Sequence, residues 1–517
     1  MSKNLDRLFS LLLLSLLPLL YASTADGSPK LPTAPKNIIL LIGDGMGPQQ
    51  IGLLALYHRY LEDTGRPRRS AILELLHGGR VSLVQPKPAG ALVIDSACSA
   101  TELATGHPSL PETLGFDADG KTPETILALA SRLGKSTGLV SDTRITHATP
   151  AAFFARVSHR SEENTIASQL IESSVDVVLS GGLRHFLPKG TAVEKPFTAS
   201  SVREDPIDLL AKFRQQGGEV VLDRSALSRV KSRKVLGLFA NSAMQDGISE
   251  RRIQTTQPTL REMTTHALRL LSNNDAGFFL MVEGGQIDWA GHGNDAGALL
   301  QEMLRFDEAV SEVLHWAAER QDTLVLMTAD HETGGFGFSY HARGIPTPVP
   351  FPGKALPGAT HRPQYNFGEP SVFELLANQR EPLWKIADDY VKGAPALQSP
   401  LGLQKRVKAA LQIELRLESA ERVLRRSPNT HYRKEHKDLS TKEWTTICDF
   451  DGFYPNPQNR FSAALARELS TTLGIVWATG THTSTPVLAA WTRSEHFSPA
   501  GFLSMEQLGA EILKLWR

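Results

Sequence analysis

The sequence predicts an α/β protein: a mostly parallel central sheet flanked by helices on both faces, with a large helical insertion. Three observations predict it. Apolar runs of strand length occur without alternation, as in NIILLI within Lys36–Ile42, and such runs suit strands buried on both faces. Helical patterns lie between these runs, and strands alternating with helices build a parallel sheet. The strand ends carry glycines beside carboxylates and imidazoles, where ligands sit in open α/β sheets.

The chain has 517 residues, enough for one large α/β domain with insertions or two to three ordinary domains. Its first element combines Lys3 and Arg7 with the apolar run Leu8–Leu20 and the small residues Ser23, Thr24 and Ala25. This predicts a signal peptide over residues 1–25. The run is shorter than the ~20 residues that span a bilayer. The mature chain is therefore expected without a transmembrane anchor, exported to the periplasm or the extracellular space. Lysine plus arginine equals aspartate plus glutamate, 55 each, so no global field draws nucleic acid and no nucleic-acid-specific site is expected. The two cysteines, Cys98 and Cys448, make no disulfide framework. They either stay free or pair in an oxidising compartment.

In chain order, strands are expected at Lys36–Ile42, Ser136–Val140, Asp176–Ser180, Glu219–Leu222, Gly277–Val282, Thr323–Met327 and Leu473–Ala478. Helices are expected at Pro123–Leu133, Leu260–Leu271 and Ala298–Arg320, with a closing helix over Met505–Arg517. The stretch Ala91–Gly106 reads as a strand or extended segment whose tight turn opens a helix. That turn places Ser96 where unpaired N–H groups and the helix dipole favour an anion. A serine there is either a cap or a nucleophile.

From about residue 340 the texture changes. Residues 345–361 are rich in proline, glycine and basic side chains. Leu403, Val407, Leu411 and Leu415 recur every four residues in a charged stretch, the mark of an amphipathic helix. Residues 26–340 and 470–517 are thus expected as the α/β core. Residues 341–469 are expected as an insertion that forms a lid, a rim or an interface.

The expected strand ends carry Asp44, Glu283, Asp330, His331 and His482. Several carboxylates and imidazoles converging on one sheet edge point to a metal site. Asp288 and His292 are four apart, so one helix face presents both to a single ion.

These stretches resemble the metal-dependent alkaline phosphatases. The resemblance rests on GDGMG at 43–47, DSACSATELATG at 95–106, THATPAAFFARVSHR at 146–160, VEGGQIDWAGHGND at 282–295, TADHETGG at 328–335 and THT at 481–483. LGLFA at 236–240 and GFFLMVEGG at 277–285 add to it, and together they cover residues 36–340 and 470–517.

The resemblance implies Ser96 as the nucleophile and Arg160 as the phosphate grip. It implies two Zn2+ and one Mg2+ per subunit. Asp288, His292 and His482 would hold the first zinc, and Asp44, Asp330 and His331 the second. Asp44 would bridge to a magnesium held by Thr149 and Glu283. His147 and Trp289 stand at positions that vary within the family, beside that third ion. The implied protein is a secreted, homodimeric hydrolase of small phosphate monoesters, working through a phosphoserine. Two alternatives stay open: a phosphodiesterase or sulfatase of the same superfamily, and a non-catalytic phosphate-binding surface protein.

Overall fold

The computed structural model describes residues 34–448, 451–499 and 501–517, so the signal-peptide reading lies outside the described residues. Its centre is a sheet of ten strands: β1 (Asn37–Gly43), β2 (Arg80–Gln85), β3 (Ser136–Arg144), β4 (Val177–Gly181), β5 (Glu219–Val221), β6 (Val235–Leu238), β7 (Phe278–Gly284), β8 (Thr323–Thr328), β9 (Val487–Trp491) and β10 (Phe502–Ser504). Their order across the sheet is β10-β2-β9-β8-β1-β7-β3-β4-β6-β5. Only β9 is antiparallel to its neighbours among these strands. The expected mostly parallel sheet is present.

Every residue of β1 and β7 is buried, which is why both read as unbroken apolar runs. Register decides what their ends do. Ile42 lies opposite Thr328 of β8 on one side and Glu283 of β7 on the other. Ser141 of β3 lies opposite Glu283 in turn. The residues just beyond these positions therefore emerge together at one edge of the sheet.

The helices Leu260–Leu271 and Ala296–Ala317 bury one face each against this sheet. The second starts two residues before expectation, because Asp295 caps it by accepting the Ala298 N–H at 3.0 Å. The closing helix runs over Met505–Lys514. It packs on the helix Ser96–Thr105, and glycine permits the contact: a Cβ on Gly509 would meet the Glu102 carbonyl oxygen at 2.5 Å.

Two expectations resolve differently: one expected strand forms outside the main sheet, and the stretch read as a strand or extended segment forms no strand. Leu473–Ala478 supplies Ile475–Trp477, which pairs antiparallel with Phe336–Phe338 in a separate two-stranded sheet. Ala91–Ile94 forms no strand; Leu92 is 86% exposed, and only Ile94 turns inward. Four strands of the ten-stranded sheet went unread, and β2 shows why. Its alternation is inverted, with Ser82 buried while Val81 and Leu83 face outward.

A second hydrophobic cluster lies between residues 383 and 469, separate from the main core. The helix Pro400–Leu411 contributes Leu403, Val407 and Leu411 to it, and Leu415 joins from beyond the helix end. Tyr390 stacks on Phe461 there, with ring centroids 4.5 Å apart. Both cysteines are free thiols, Cys98 buried and Cys448 exposed.

Candidate active site and metal centre

The helix Ser96–Thr105 opens the site, and Asp95 is its cap. The Asp95 carboxylate accepts the N–H groups of Ala97 and Cys98 at 3.1 and 3.2 Å. Ser96 is thereby released from capping and stands in the first helical position, buried, with Oγ 3.1 Å from His331 Nε2. Asp95 also accepts Glu112 N–H at 2.8 Å and Arg160 Nη1–H at 2.9 Å. Burial alone would raise the Asp95 carboxyl, but Arg160 and these N–H donors hold it below its usual range. Sequence reasoning gave Asp95 no role of its own. The preference of aspartate for N-caps was the available signal.

Asp44 follows β1 directly and is fully buried. Gly45 makes that turn possible, with φ +75° and an N–H that donates to Asp330 Oδ1 at 3.1 Å. A Cβ on Gly45 would stand 2.7 Å from the Asp288 Cα. Asp330 and His331 leave β8 together. Asp330 Oδ1 accepts the His331 N–H at 2.9 Å, and Ser99 Oγ–H donates to the Asp330 carbonyl at 2.8 Å. His331 Nε2 then lies 3.2 Å from Asp330 Oδ2 and 3.6 Å from Asp44 Oδ1.

The helix Gln286–His292 presents Asp288 and His292 on one face, 3.3 Å apart. Thr333 Oγ–H donates to Asp288 Oδ1 at 2.5 Å, and His482 Nε2 lies 3.5 Å from the same oxygen. His292 Nδ1 is 2.7 Å from the Gly480 carbonyl, and His482 Nδ1 is 2.9 Å from the Ile94 carbonyl. A carbonyl can only accept, so both Nδ1 atoms carry hydrogen. In its neutral form each ring would then hold a bare lone pair on Nε2, and these two atoms are 3.1 Å apart. Two lone pairs at that separation repel unless a cation lies between them.

The third part of the site surrounds Glu283, at the end of β7. Its Oε2 accepts from Ser141 Oγ–H and, at 3.3 Å, from Thr143 Oγ–H. Thr149 Oγ–H donates to Asp44 Oδ2 at 3.2 Å. His147 Nε2 lies 3.3 Å from Arg160 Nη2, and its ring meets Trp289 edge-on with centroids 5.8 Å apart.

All twelve side chains singled out from the sequence thus lie at this one sheet edge. Three groups offer ligand atoms within 4.8 Å of one another: Asp288, His331 and His482; Asp44, Asp330 and His331; Asp44, His147 and Glu283. His331 belongs to two groups and Asp44 to two. His147 faces the third centre itself.

The electrostatics fit cations. Asp44 Oδ1, Asp330 Oδ2, Glu283 Oε1 and His147 Nδ1 are buried without a hydrogen-bond partner among the described residues. Burial, with the neighbouring Asp330, Asp288 and Glu283 charges behind it, pushes the Asp44 carboxyl well above its usual range. Burial pushes Asp330 up to about 6 and Glu283 up to about 8. It holds His331 and His147 well below the usual imidazole value. Buried, mutually repelling carboxylates beside His331 and His147, both held toward their neutral form, suit a cation, since metals bind carboxylates and neutral imidazoles.

A family model described as alkaline phosphatase matches residues 35–365. The chain belongs to the alkaline phosphatase family. It is 34% identical over 307 residues to alkaline phosphatase 4 of Bacillus subtilis, a match covering 58% of this chain and 62% of that protein. It is 33% identical over 340 residues to the alkaline phosphatase of Escherichia coli, covering 57% of this chain and 70% of that one. It is 35% identical over 350 residues to the repressible alkaline phosphatase of Saccharomyces cerevisiae, covering 64% and 60%. The chain thus spans about three-fifths of the Bacillus and yeast proteins.

The Thermus thermophilus alkaline phosphatase has the same fold, with TM-score 0.73, 26% identity, and 96% of this chain and 95% of that chain covered. The cold-active alkaline phosphatase of Shewanella sp. follows with TM-score 0.68, 25% identity, and 93% and 100% covered. The shared fold covers more of the chain than residues 35–365, to which the family model is confined.

Proposed function

We propose that this alkaline phosphatase family member hydrolyses phosphate monoesters to an alcohol and inorganic phosphate. The observation that carries the reading is Ser96 Oγ. It stands at a helix N-terminus, freed from capping by Asp95 and 3.1 Å from His331 Nε2, which in turn lies near Asp44 Oδ1 and Asp330 Oδ2, buried oxygens without a hydrogen-bond partner among the described residues.

The residues fit two zinc ions and one magnesium ion. Asp288, His292 and His482 would hold the first zinc, and Asp44, Asp330 and His331 the second. Asp44, Thr149 and Glu283 would hold the magnesium, with His147 facing it and Trp289 against His147. The oxygens of Asp44, Thr149 and Glu283 suit the harder ion, imidazoles suit zinc, and the His147 ring in the third group also suits zinc. When bound, such ions favour the ionised form of a nearby hydroxyl and neutralise charge on transferring phosphoryl oxygens.

The chain's own side chains divide the remaining work. Ser96 attacks phosphorus in line, displacing the alcohol and leaving a phosphoserine that water then cleaves. Arg160, held by Asp95, presents its planar fork to two phosphate oxygens. Thr333 orients Asp288, and the Gly480 and Ile94 carbonyls fix the tautomers of His292 and His482.

We further infer that residues 1–25 direct export to the periplasm or beyond, that the enzyme is a homodimer, and that residues 341–469 form a rim of the site. Among the described residues no helix is long and apolar enough to cross a membrane.

The deciding experiment is hydrolysis of a chromogenic aryl phosphate at pH 7–10. It would be run as purified, after chelation, after return of zinc, and after return of zinc with magnesium. Activity lost on chelation, restored by zinc and absent from Ser96→Ala supports the reading. Faster turnover of a phosphodiester or a sulfate ester than of the monoester would overturn it.

A further inference from the structure

The His292 and His482 rings meet although their chain segments are unrelated in sequence, and one side chain ties the two segments together. The helix carrying His292 ends at Gly293, and Asn294 follows with φ +51°. Left-handed backbone is uncommon for a residue with a side chain, though asparagine tolerates it best. Asn294 is also buried, at 2% exposure, which a surface helix stop would not require.

Its backbone closes the helix, with Asn294 N–H donating to the Gly291 carbonyl and Asp295 N–H to the Ala290 carbonyl, both at 3.0 Å. Glycine would serve that backbone as well. The side chain does what glycine cannot. Asn294 Nδ2 donates to the Gly291 carbonyl at 3.0 Å and to the Thr479 carbonyl at 2.9 Å. Gly291 immediately precedes His292. Thr479 precedes Gly480, whose carbonyl receives His292 Nδ1–H, and stands three residues before His482.

The next residue anchors this point from behind. The Asp295 carboxylate accepts Gln379 Nε2–H at 2.9 Å and Leu383 N–H at 2.6 Å, and Leu383 belongs to the second hydrophobic cluster.

We propose that Asn294 is a positioning residue for the metal centre, its side-chain amide pinning the His292 helix to the His482 segment so that both Nε2 atoms face one cation. This rests on the metal reading of the site. Removing the amide leaves the buried Thr479 carbonyl without this donor, while the Gly291 carbonyl keeps the Asn294 N–H, and it loosens one histidine segment from the other. The loss falls on the ion shared by His292 and His482. It spares the group at Glu283, which Asn294 does not touch.

The test uses the full-length protein stripped with chelator and titrated with cobalt(II) alone, read by visible absorption, with zinc added in competition. Asn294→Gly keeps the left-handed turn and removes the amide. Asn294→Asp keeps the shape and also removes the donor. The proposal expects both variants to stay folded by circular dichroism and to lose about 10- to 100-fold in affinity at one site, the range typical of lost outer partners of metal ligands. It expects magnesium dependence to be unchanged. Wild-type affinity in Asn294→Gly would overturn the proposal and reduce Asn294 to a helix stop. An equal loss at every site would also overturn it. Failure of the wild-type protein to bind cobalt or zinc would instead overturn the metal reading itself.

Discussion

Glu102→Gln should make this protein more stable in alkali and leave it nearly unchanged in acid. Glu102 lies inside the helix Ser96–Thr105, with no exposed surface, where the closing helix Met505–Lys514 crosses it. One carboxyl oxygen accepts Ser109 N–H at 3.1 Å, and Cys98 Sγ lies 3.9 Å from it. The other oxygen has no hydrogen-bond partner among the described residues. Burial, and more weakly the Glu506 charge, lift this carboxyl from 4.5 to about 8.

The folded state therefore holds its proton more tightly than the unfolded state. The stabilisation that follows is complete below pH 4.5 and fades as pH rises through about 8. At about 1.4 kcal/mol per pH unit, the ceiling on the amount lost is about 5 kcal/mol. Glutamine keeps the acceptor for Ser109 N–H and never ionises. The assay is urea unfolding of both proteins, each with its metals, at pH 5, 7 and 9. The stability difference should grow by about 2–4 kcal/mol in favour of the variant between pH 5 and pH 9. A difference that stays flat across that range would refute the reasoning, because it would mean that Glu102 titrates as an ordinary surface glutamate.

Other changes have equally definite outcomes. Ser96→Ala should lower kcat on the order of a thousandfold or more while the metal content, measured by atomic emission, stays at the wild-type level. Arg160→Ala should act mainly on phosphate binding, raising the inhibition constant for inorganic phosphate about 10- to 100-fold, with a smaller fall in kcat. A loss of the same size as for Ser96→Ala would contradict that division. Chelation should lower Tm, because each ion present at a thousand times its Kd stabilises the fold by about 4 kcal/mol; an unchanged Tm would speak against buried sites. Gly45→Ala should abolish zinc uptake in an equilibrium titration. Its Cβ would meet the Asp288 Cα at 2.7 Å, and φ there is +75°.

The parts of the fold legible in the sequence were those where burial is symmetrical. β1, β7 and β8 are covered on both faces, so their composition alone reveals them. β2 hid because its outward residues are Val81 and Leu83, which mimic an inward face. Leu473–Ala478 misled because an apolar run does not say which partner it will pair with, and Phe336–Phe338 took it out of the main sheet. The site was legible as residue types at strand ends, with Asp288 and His292 tied by helical spacing.

What could not be read were the partners that orient those residues. Asp95 with Arg160, Thr333 with Asp288 and Asn294 with Thr479 are separated by 65, 45 and 185 positions. Only tertiary structure brings them together. The same holds for His331, which belongs to both the Asp288 and the Asp44 groups while spacing pairs it only with Asp330.

The His482 ring reaches the carbonyl of Ile94, 388 positions earlier in the chain. Synthesis proceeds at about 5–20 residues per second, so roughly 20–80 s pass between the appearance of these two residues. Throughout that interval the nascent chain owns its serine, its arginine and most of its ligands, yet it cannot close the cluster that would arm them. The cluster therefore closes late, only after His482 has been made. A chain carried across a membrane while still unfinished would arrive inert, and the compartment that completes its folding would also be the one that sets which metals it takes.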